Sequence, residues 1–394
     1  MKNFKRFFAA LMAAVMVATL SCLTAFASPG YPEVVDASEL GATAYFCIGD
    51  SIATGYLSEQ SDADIKDVNI AYVRRDGETT TNAYPTMIAD GLGLNVRSNP
   101  FGYFGNSNTQ KDADAWSWNQ GSYQFYNYAR DGLTSHEIRL LFDPSYYNQM
   151  TEEEKNISDN VILDGDFTKL GMTGFRQMQK HAPTDLAQSD IITMWFGSND
   201  LLFYVLQTTL AIVNDDSITG AVNAALATVG MGGALDALVN AAGLVGKLPL
   251  VLATLTVQST KANAAFAENW DAILKIINDI KKPTAKIYVG DIYNSNAGLK
   301  FTSTDQFRIG QLLGFSSQQI NSVINNTSAY RSTYTVVHTA GVEEYLPEWE
   351  PIDQWGSALE QGYFYTMFMV TAHPRKNGQI YLANEFLKAM KANA

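Results

Sequence analysis

Residues Ala42 to Tyr56 read Ala-Thr-Ala-Tyr-Phe-Cys-Ile-Gly-Asp-Ser-Ile-Ala-Thr-Gly-Tyr. The run ahead of Gly49 is aromatic, β-branched and small apolar, of strand length and without polar alternation, which is the pattern of a strand buried on both faces. It runs into Gly49-Asp50-Ser51, a sharp turn that presents a serine. A serine so placed is a nucleophile candidate, but Gly-Asp-Ser is also ordinary turn chemistry. Partners elsewhere in the chain have to decide between the two.

Composition limits what those partners can be. The chain has 394 residues, 46% of them hydrophobic and 12% aromatic, which is enough for one large domain or two ordinary ones with a substantial core. Met1 to Arg6 carries Lys2, Lys5 and Arg6, and the uncharged apolar run Phe7 to Leu20 is followed by Ala25-Phe26-Ala27. This is the pattern of a secretory signal peptide over residues 1–27 with cleavage after Ala27, the apolar run being too short for a stable membrane span. The mature domain is then expected over residues 28–394 and outside the cell. Cys22 could instead suggest lipoprotein anchoring, but Thr19-Leu20-Ser21 is a poor lipobox.

Cleavage would leave Cys47 alone, so no internal disulfide is available and the exported protein stands on its core. Cys47 itself reads as a small buried hydrophobe. Losing the leader takes the formal charge from −13 to about −16, and the mature part has no Lys/Arg cluster, which argues against nucleic acid and anionic membrane as partners. No His/Cys/Asp cluster has ligand spacing, so neither a metal nor an organic cofactor is expected.

Further along, Ser28 to Leu40 reads as an exposed lead-in broken by Pro29, Gly30 and Pro32. Glu59 to Thr81 reads as a charged loop. Ala83 to Leu92 reads as a helix capped by Asn82 with Pro85 in its first turn. Asn95 to Tyr126 is rich in Asn, Gly, Ser and rings; it could line a sugar cleft, or be an irregular surface insertion pinned by its own aromatics. Asn127 to Ser135 reads as a loop leading into a short helix, His136 to Phe142. Asp143 to Lys169, with Glu152-Glu153-Glu154, reads as a solvated face. His181, before Pro183, reads as a helix C-terminal residue.

Asp190 to Phe196 is a second buried run, ending in Gly197-Ser198-Asn199-Asp200. Lys286 to Asp291 and Thr333 to Val337 are two more strands, preceded by helical patterns over Phe266 to Ile280 and Ser317 to Tyr330. This alternation predicts an α/β protein with a parallel sheet covered on both faces and its ligand site at the carboxyl ends of the strands. Leu201 to Ala265 is an Ala- and Leu-rich insertion, interrupted too often by Asp215, Asp216, Asp236 and Lys247 to span a membrane. It reads either as small-residue helices packed on the domain or as a lid or acyl-chain pocket leaving directly from the Asn199 loop.

Four separated pieces resemble the block motifs of the SGNH, or GDSL-type, hydrolases. They are Gly49-Asp50-Ser51, the Asn-x-Ala-x-x-Gly pattern from Asn127 to Gly132, Gly197-Ser198-Asn199-Asp200, and His373-Pro374 ahead of a final helix. The resemblance implies a three-layer α/β/α fold with a flavodoxin-like parallel sheet and the insertion 201–265 within it. It implies Ser51 as nucleophile and His373 as general base. It also implies an oxyanion hole from the Ser51 and Gly132 N–H groups and the Asn199 amide. In one respect the sequence departs from the family pattern: Val370 stands where the usual aspartate precedes the histidine. Either a backbone carbonyl holds His373, or an acid comes from Glu343, Glu344, Glu348, Glu350 or Asp353.

The implied activity is a secreted esterase or lipase acting on a small-molecule, lipid or glycan ester. A polysaccharide O-acetyl esterase is the alternative suggested by the ring-rich stretch. A non-catalytic carbohydrate- or lipid-binding module is the alternative suggested by Val370.

Overall fold

Five short apolar runs form the centre of the molecule. In the computed structural model, residues 33–55, 58, 83–94, 124–130, 132–159, 173–201, 244–295, 309–346 and 372–394 are described, and Val34–Ala394 forms one compact unit. The strands are β1 (Tyr45–Gly49), β2 (Phe125–Asn127), β3 (Ile191–Trp195), β4 (Lys286–Gly290) and β5 (Tyr334–Val337). All pair in parallel, in the order β2-β1-β3-β4-β5. Every residue of β1, β2 and β3 is buried, as an apolar run without alternation requires when helices cover both faces.

The helices are α1 (Ser51–Thr54), α2 (Tyr84–Gly91), α3 (Ser135–Phe142), α4 (Glu152–Ile157), α5 (Thr173–Gln188), α6 (Leu244–Ile280), α7 (Ile309–Ser322) and α8 (Lys376–Ala392). Helices α2 and α8 pack together, while α6 packs against α3, α5 and α7. With the sheet between them, these groups make the three-layer α/β/α fold. Phe386 of α8 stacks on Tyr84 of α2 with ring centroids 5.5 Å apart, both side chains fully buried; truncating such a ring costs about 3–5 kcal/mol. On α6, Phe266, Trp270, Ile273, Leu274 and Ile277 form one buried stripe at helical spacing, and Phe266 stacks on Trp270 at 5.4 Å.

Strand order 2-1-3-4-5 is the flavodoxin-like arrangement, and its direction of winding reverses between β1 and β3. The loops after these two strands therefore diverge and leave a crevice at their carboxyl ends. Gly49-Asp50-Ser51 and Gly197-Ser198-Asn199 are those loops.

Several local expectations are corrected. Helix α2 has Ala83 and not Asn82 at its N-cap, with no side-chain cap bond; instead the Gln379 side-chain carbonyl of α8 accepts from Tyr84 N–H at 2.9 Å, satisfying one of the orphan donors of the first turn. The lead-in is not simply exposed. Ala37 is fully buried and donates its N–H to Gly91, and Val35 N–H donates to Asn384 of α8 at 2.8 Å.

Helix α5 continues through Pro183, so His181 lies inside it and not at its C-terminus. An interior proline costs about 3 kcal/mol, and the buried stripe Phe175, Met178, Ala182 and Leu186 offsets it. Phe125 and Tyr126, read as the end of an irregular insertion, form strand β2. Helix α6 starts at Leu244 and not at Phe266, so the last part of the 201–265 stretch is continuous with the helix expected over Phe266 to Ile280. Residues 202–243 lie outside the described residues, as do 1–32, 59–82 and 95–123. Helix α7 starts at Ile309 and gives way to a π-helical turn, Val323–Thr327. Cys47 is buried and free, and burial pushes its thiol up to about 11, which suits packing and not reactivity.

Candidate active site

Gly49 ends β1 where the chain turns into α1. A Cβ on it would come within 2.4 Å of the Ala53 Cβ and 3.2 Å of the Trp195 carbonyl, so only glycine lets the first turn of α1 approach the sheet this closely. Asp50 is the N-cap of α1, and its carboxylate accepts from Ile52 N–H at 3.0 Å. Ser51 is thus the first residue of the helix, held at the carboxyl end of β1.

His373 comes from the segment before α8. Its Nε2 lies 2.7 Å from Ser51 Oγ. Both residues are almost fully buried, 3% and 4% exposed, so the contact is dry enough for charge to be felt strongly. Tyr293, just beyond β4, donates its hydroxyl to the Ala372 carbonyl at 2.7 Å. Its ring stacks on Trp195 at 5.3 Å. Burial first, and then the charges of Asp50 and Glu343, push the Tyr293 phenol well above its ordinary value; it stays a proton donor.

The third loop is tied to the first two. Arg130 N–H donates to the Gly49 carbonyl at 3.2 Å, and the Asn127 amide donates to the Ala53 carbonyl at 3.3 Å. Gly132 has φ 80°, a left-handed conformation that glycine adopts without strain, and two residues later Thr134 caps α3 in a capping box with Glu137. Asn199 is 5% exposed. Its Nδ2 donates to the Leu133 carbonyl at 3.1 Å and to an Asp50 carboxylate oxygen at 3.4 Å, so both amide hydrogens are engaged within the protein. The loops carrying Ser51, Gly132 and Asn199 are therefore bonded to one another.

Of the candidate third acids, Glu343 accepts from Gly341 N–H at 2.9 Å and Asn294 N–H at 3.1 Å, so its carboxylate is engaged with backbone. Glu344 beside it is exposed. Val370, Glu348, Glu350 and Asp353 lie outside the described residues. The other histidines sit elsewhere. His136 is buried with Nδ1 2.8 Å from the Tyr146 hydroxyl, and exposed His338 has Nδ1 2.9 Å from Asp291. Among the described residues no group of His, Cys, Asp and Glu could hold a metal ion, and no helix is long and apolar enough to cross a membrane.

Three residues near the site were not singled out by sequence reasoning: Tyr293, Asp200 and Asn269. Asp200 had a signal, since it directly succeeds Asn199 in the same block. Tyr293 and Asn269 had none, because each reaches its partner only through the fold.

The molecule is a three-layer α/β/α protein with a buried serine–histidine contact at the switch point of its sheet. The profile of the GDSL-like Lipase/Acylhydrolase family matches residues 45–386, and the chain belongs to that family, which makes it an ester-hydrolysing enzyme in general terms. Among solved structures, it is similar to an extracellular lipase from Streptomyces rimosus (13% identity, TM-score 0.40, 90% of this chain and 100% of that one). It is also similar to a phospholipase A1 from Streptomyces albidoflavus NA297 (14%, 0.40, 90% and 100%) and to a lipase from a goat rumen metagenome (13%, 0.38, 88% and 96%). No curated protein sequence matches the chain significantly.

Proposed function

We propose that the protein is a secreted serine esterase or lipase in which Ser51 is the nucleophile and His373 the general base. The observation that carries this reading is the 2.7 Å contact between Ser51 Oγ and His373 Nε2, within the range a nucleophile and its base require. Ser51 Oγ attacks the ester carbonyl carbon as its proton passes to His373. The oxyanion of the tetrahedral intermediate is met by the Ser51 and Gly132 N–H groups and by the Asn199 amide, which gives up its long bond to Asp50 for it and keeps the one to Leu133. The carbon–oxygen bond to the alcohol then breaks, and His373 returns the proton to it. Water repeats the sequence on the acyl-enzyme and releases the acid. No cofactor enters any step.

The leader 1–27 would be removed after Ala27, leaving 28–394 as one hydrolase domain outside the cell. The apolar 201–265 stretch favours an acyl lipid or short-chain ester as substrate; the ring-rich Asn95 to Tyr126 stretch favours O-acetylated polysaccharide. Ser51→Ala should abolish turnover with the fold intact, and a fluorophosphonate should label the wild type at Ser51 alone. Labelling at another serine, or unchanged turnover in Ser51→Ala, overturns the assignment. p-Nitrophenyl esters of rising chain length, assayed beside acetylated xylan, separate the two substrate classes. Failure on all of them, with no label at Ser51, leaves the binding-module reading.

A further inference from the structure

Asp200 is a fully buried carboxylate with no part in the proposed ester chemistry. Isolated buried charges are costly and are kept only where something holds them. Among the described residues its hydrogen bonds come from one residue, Ser135: the N–H donates at 2.9 Å and the hydroxyl at 2.5 Å. Burial pushes the Asp200 carboxyl up to about 6, against the pull of His136 and of the Ser135 bonds. This is an expensive group to carry in the helical turn that begins at Ser198.

Its position explains why it is there. Asp200 directly succeeds Asn199. Ser135 is the first residue of α3, three positions after Gly132. The two loops that carry the proposed oxyanion donors are thus joined twice, by Asn199 Nδ2 to the Leu133 carbonyl at 3.1 Å and by Asp200 to Ser135. Two adjacent residues of one loop grip two nearby residues of the other, which fixes rotation as well as separation. A third element completes the clamp: Asn269 of α6 donates to Ser135 Oγ at 3.1 Å. The Ser135 hydroxyl therefore gives its proton to Asp200 and accepts from α6 at the same oxygen.

We propose that Asp200 is the positioning residue of the oxyanion hole, acting through Ser135 to hold the Gly132 loop in register with the Asn199 amide. This rests on the reading of Gly132 and Asn199 as oxyanion donors. Preorganised donors act in the transition state and not in the ground state, so a loosened clamp lowers kcat and spares KM. A residue that merely stabilises the fold lowers the melting temperature without that split.

The test is a double-mutant cycle on a p-nitrophenyl ester. Asp200→Asn keeps the shape but weakens acceptance from Ser135, and should lower kcat about 10- to 100-fold with KM within about twofold. In an Asn199→Ala background, where one of the aligned donors is already gone, the same change should cost about threefold or less. If Asp200→Asn does not fold, Ser135→Ala, which keeps the backbone bond to Asp200, carries the same cycle with a loss of about 5- to 20-fold. Losses that multiply in full, or a raised KM with kcat intact, overturn the proposal. If Asn199→Ala costs about a hundredfold and neither Asp200→Asn nor Ser135→Ala lowers kcat, the clamp fails and the oxyanion reading stands. If Asn199→Ala changes nothing while the wild type turns over, or the wild type hydrolyses no ester, both fail.

Discussion

Tyr293 donates its hydroxyl proton to the carbonyl of Ala372, 2.7 Å away and one residue before His373. This links the end of β4 to the segment that delivers the histidine. The tyrosine is itself fixed by stacking on Trp195, whose indole N–H donates to the Asp291 carbonyl at 2.8 Å. Val370 stands at the position three residues before His373 where the family usually has an aspartate. Tyr293→Phe keeps the ring and removes the bond, leaving a carbonyl short of a partner. The expected result is a loss of about 1–3 kcal/mol in stability and a fall in kcat of about tenfold at constant KM, read by denaturation and by steady-state kinetics. A fall in stability with kcat unchanged would confine Tyr293 to the core.

Asn199→Ala should lower kcat about a hundred- to a thousandfold with little change in KM, as expected for loss of one preorganised donor. The amide also donates to Leu133, so the variant loosens the neighbouring loop too. A raised KM with kcat intact would mean that Asn199 binds substrate in its ground state.

Glu343 offers a separate test of the third acid. Its carboxylate accepts from Gly341 and Asn294 backbone N–H groups, and Gly341 has φ 107°, so the side chain pins a turn that only glycine forms easily. Glu343→Gln leaves one good acceptor of two and should cost about 1–3 kcal/mol in stability while kcat changes less than about fivefold. A loss of about a hundredfold or more in kcat, comparable in kind to the effect of replacing a triad aspartate, would instead make Glu343 the substitute acid.

The legibility of each feature in the sequence depends on how local its signal is. Strands β1 and β3 are continuous buried runs that stop at glycine-bearing turns, and both were readable to within a residue or two. Strand β2, Phe125–Asn127, has too few residues to show any period, and it is a strand because β1 supplies its partner at Tyr45 to Cys47. The extension of α6 back to Leu244, and the passage of α5 through Pro183, run against local propensity. In α5 the buried stripe that overrides Pro183 has a core on the other side, and only the fold reveals it. The Ser51 and His373 pair was legible as motifs. The clamp was not, because Asn269 and Ser135 are 134 residues apart and neither carries a signal of its own.

Three buried or bonded carboxyls should shape the dependence of stability on pH. Burial pushes the Asp185 carboxyl up to about 6, against hydrogen bonds from Tyr128 and Gln188 that pull it down, and Asp200 is raised to the same region by burial. A carboxyl with a raised folded-state value holds more protons in the native state than in the unfolded one between about pH 4 and 6, so these two groups make the protein less stable as pH climbs through that window. Asp190 has the opposite sign. Burial alone would raise it, but the bonds from Lys282, Thr43 and Ala44 outweigh burial and hold it at about 2. Its contribution is present above about pH 4 and is lost as pH falls toward 2. Chemical denaturation between about pH 2 and 7 should therefore give a stability maximum at about pH 3 to 4 from these three groups. Asp185→Asn, which can still accept from the Tyr128 hydroxyl, should flatten the upper slope and leave the lower one. Lys282→Met should let the Asp190 value rise and flatten the lower slope alone. A wild-type profile that climbs steadily from about pH 4 to 6, and does so equally in Asp185→Asn, would show that Asp185 is solvated enough to ionise freely.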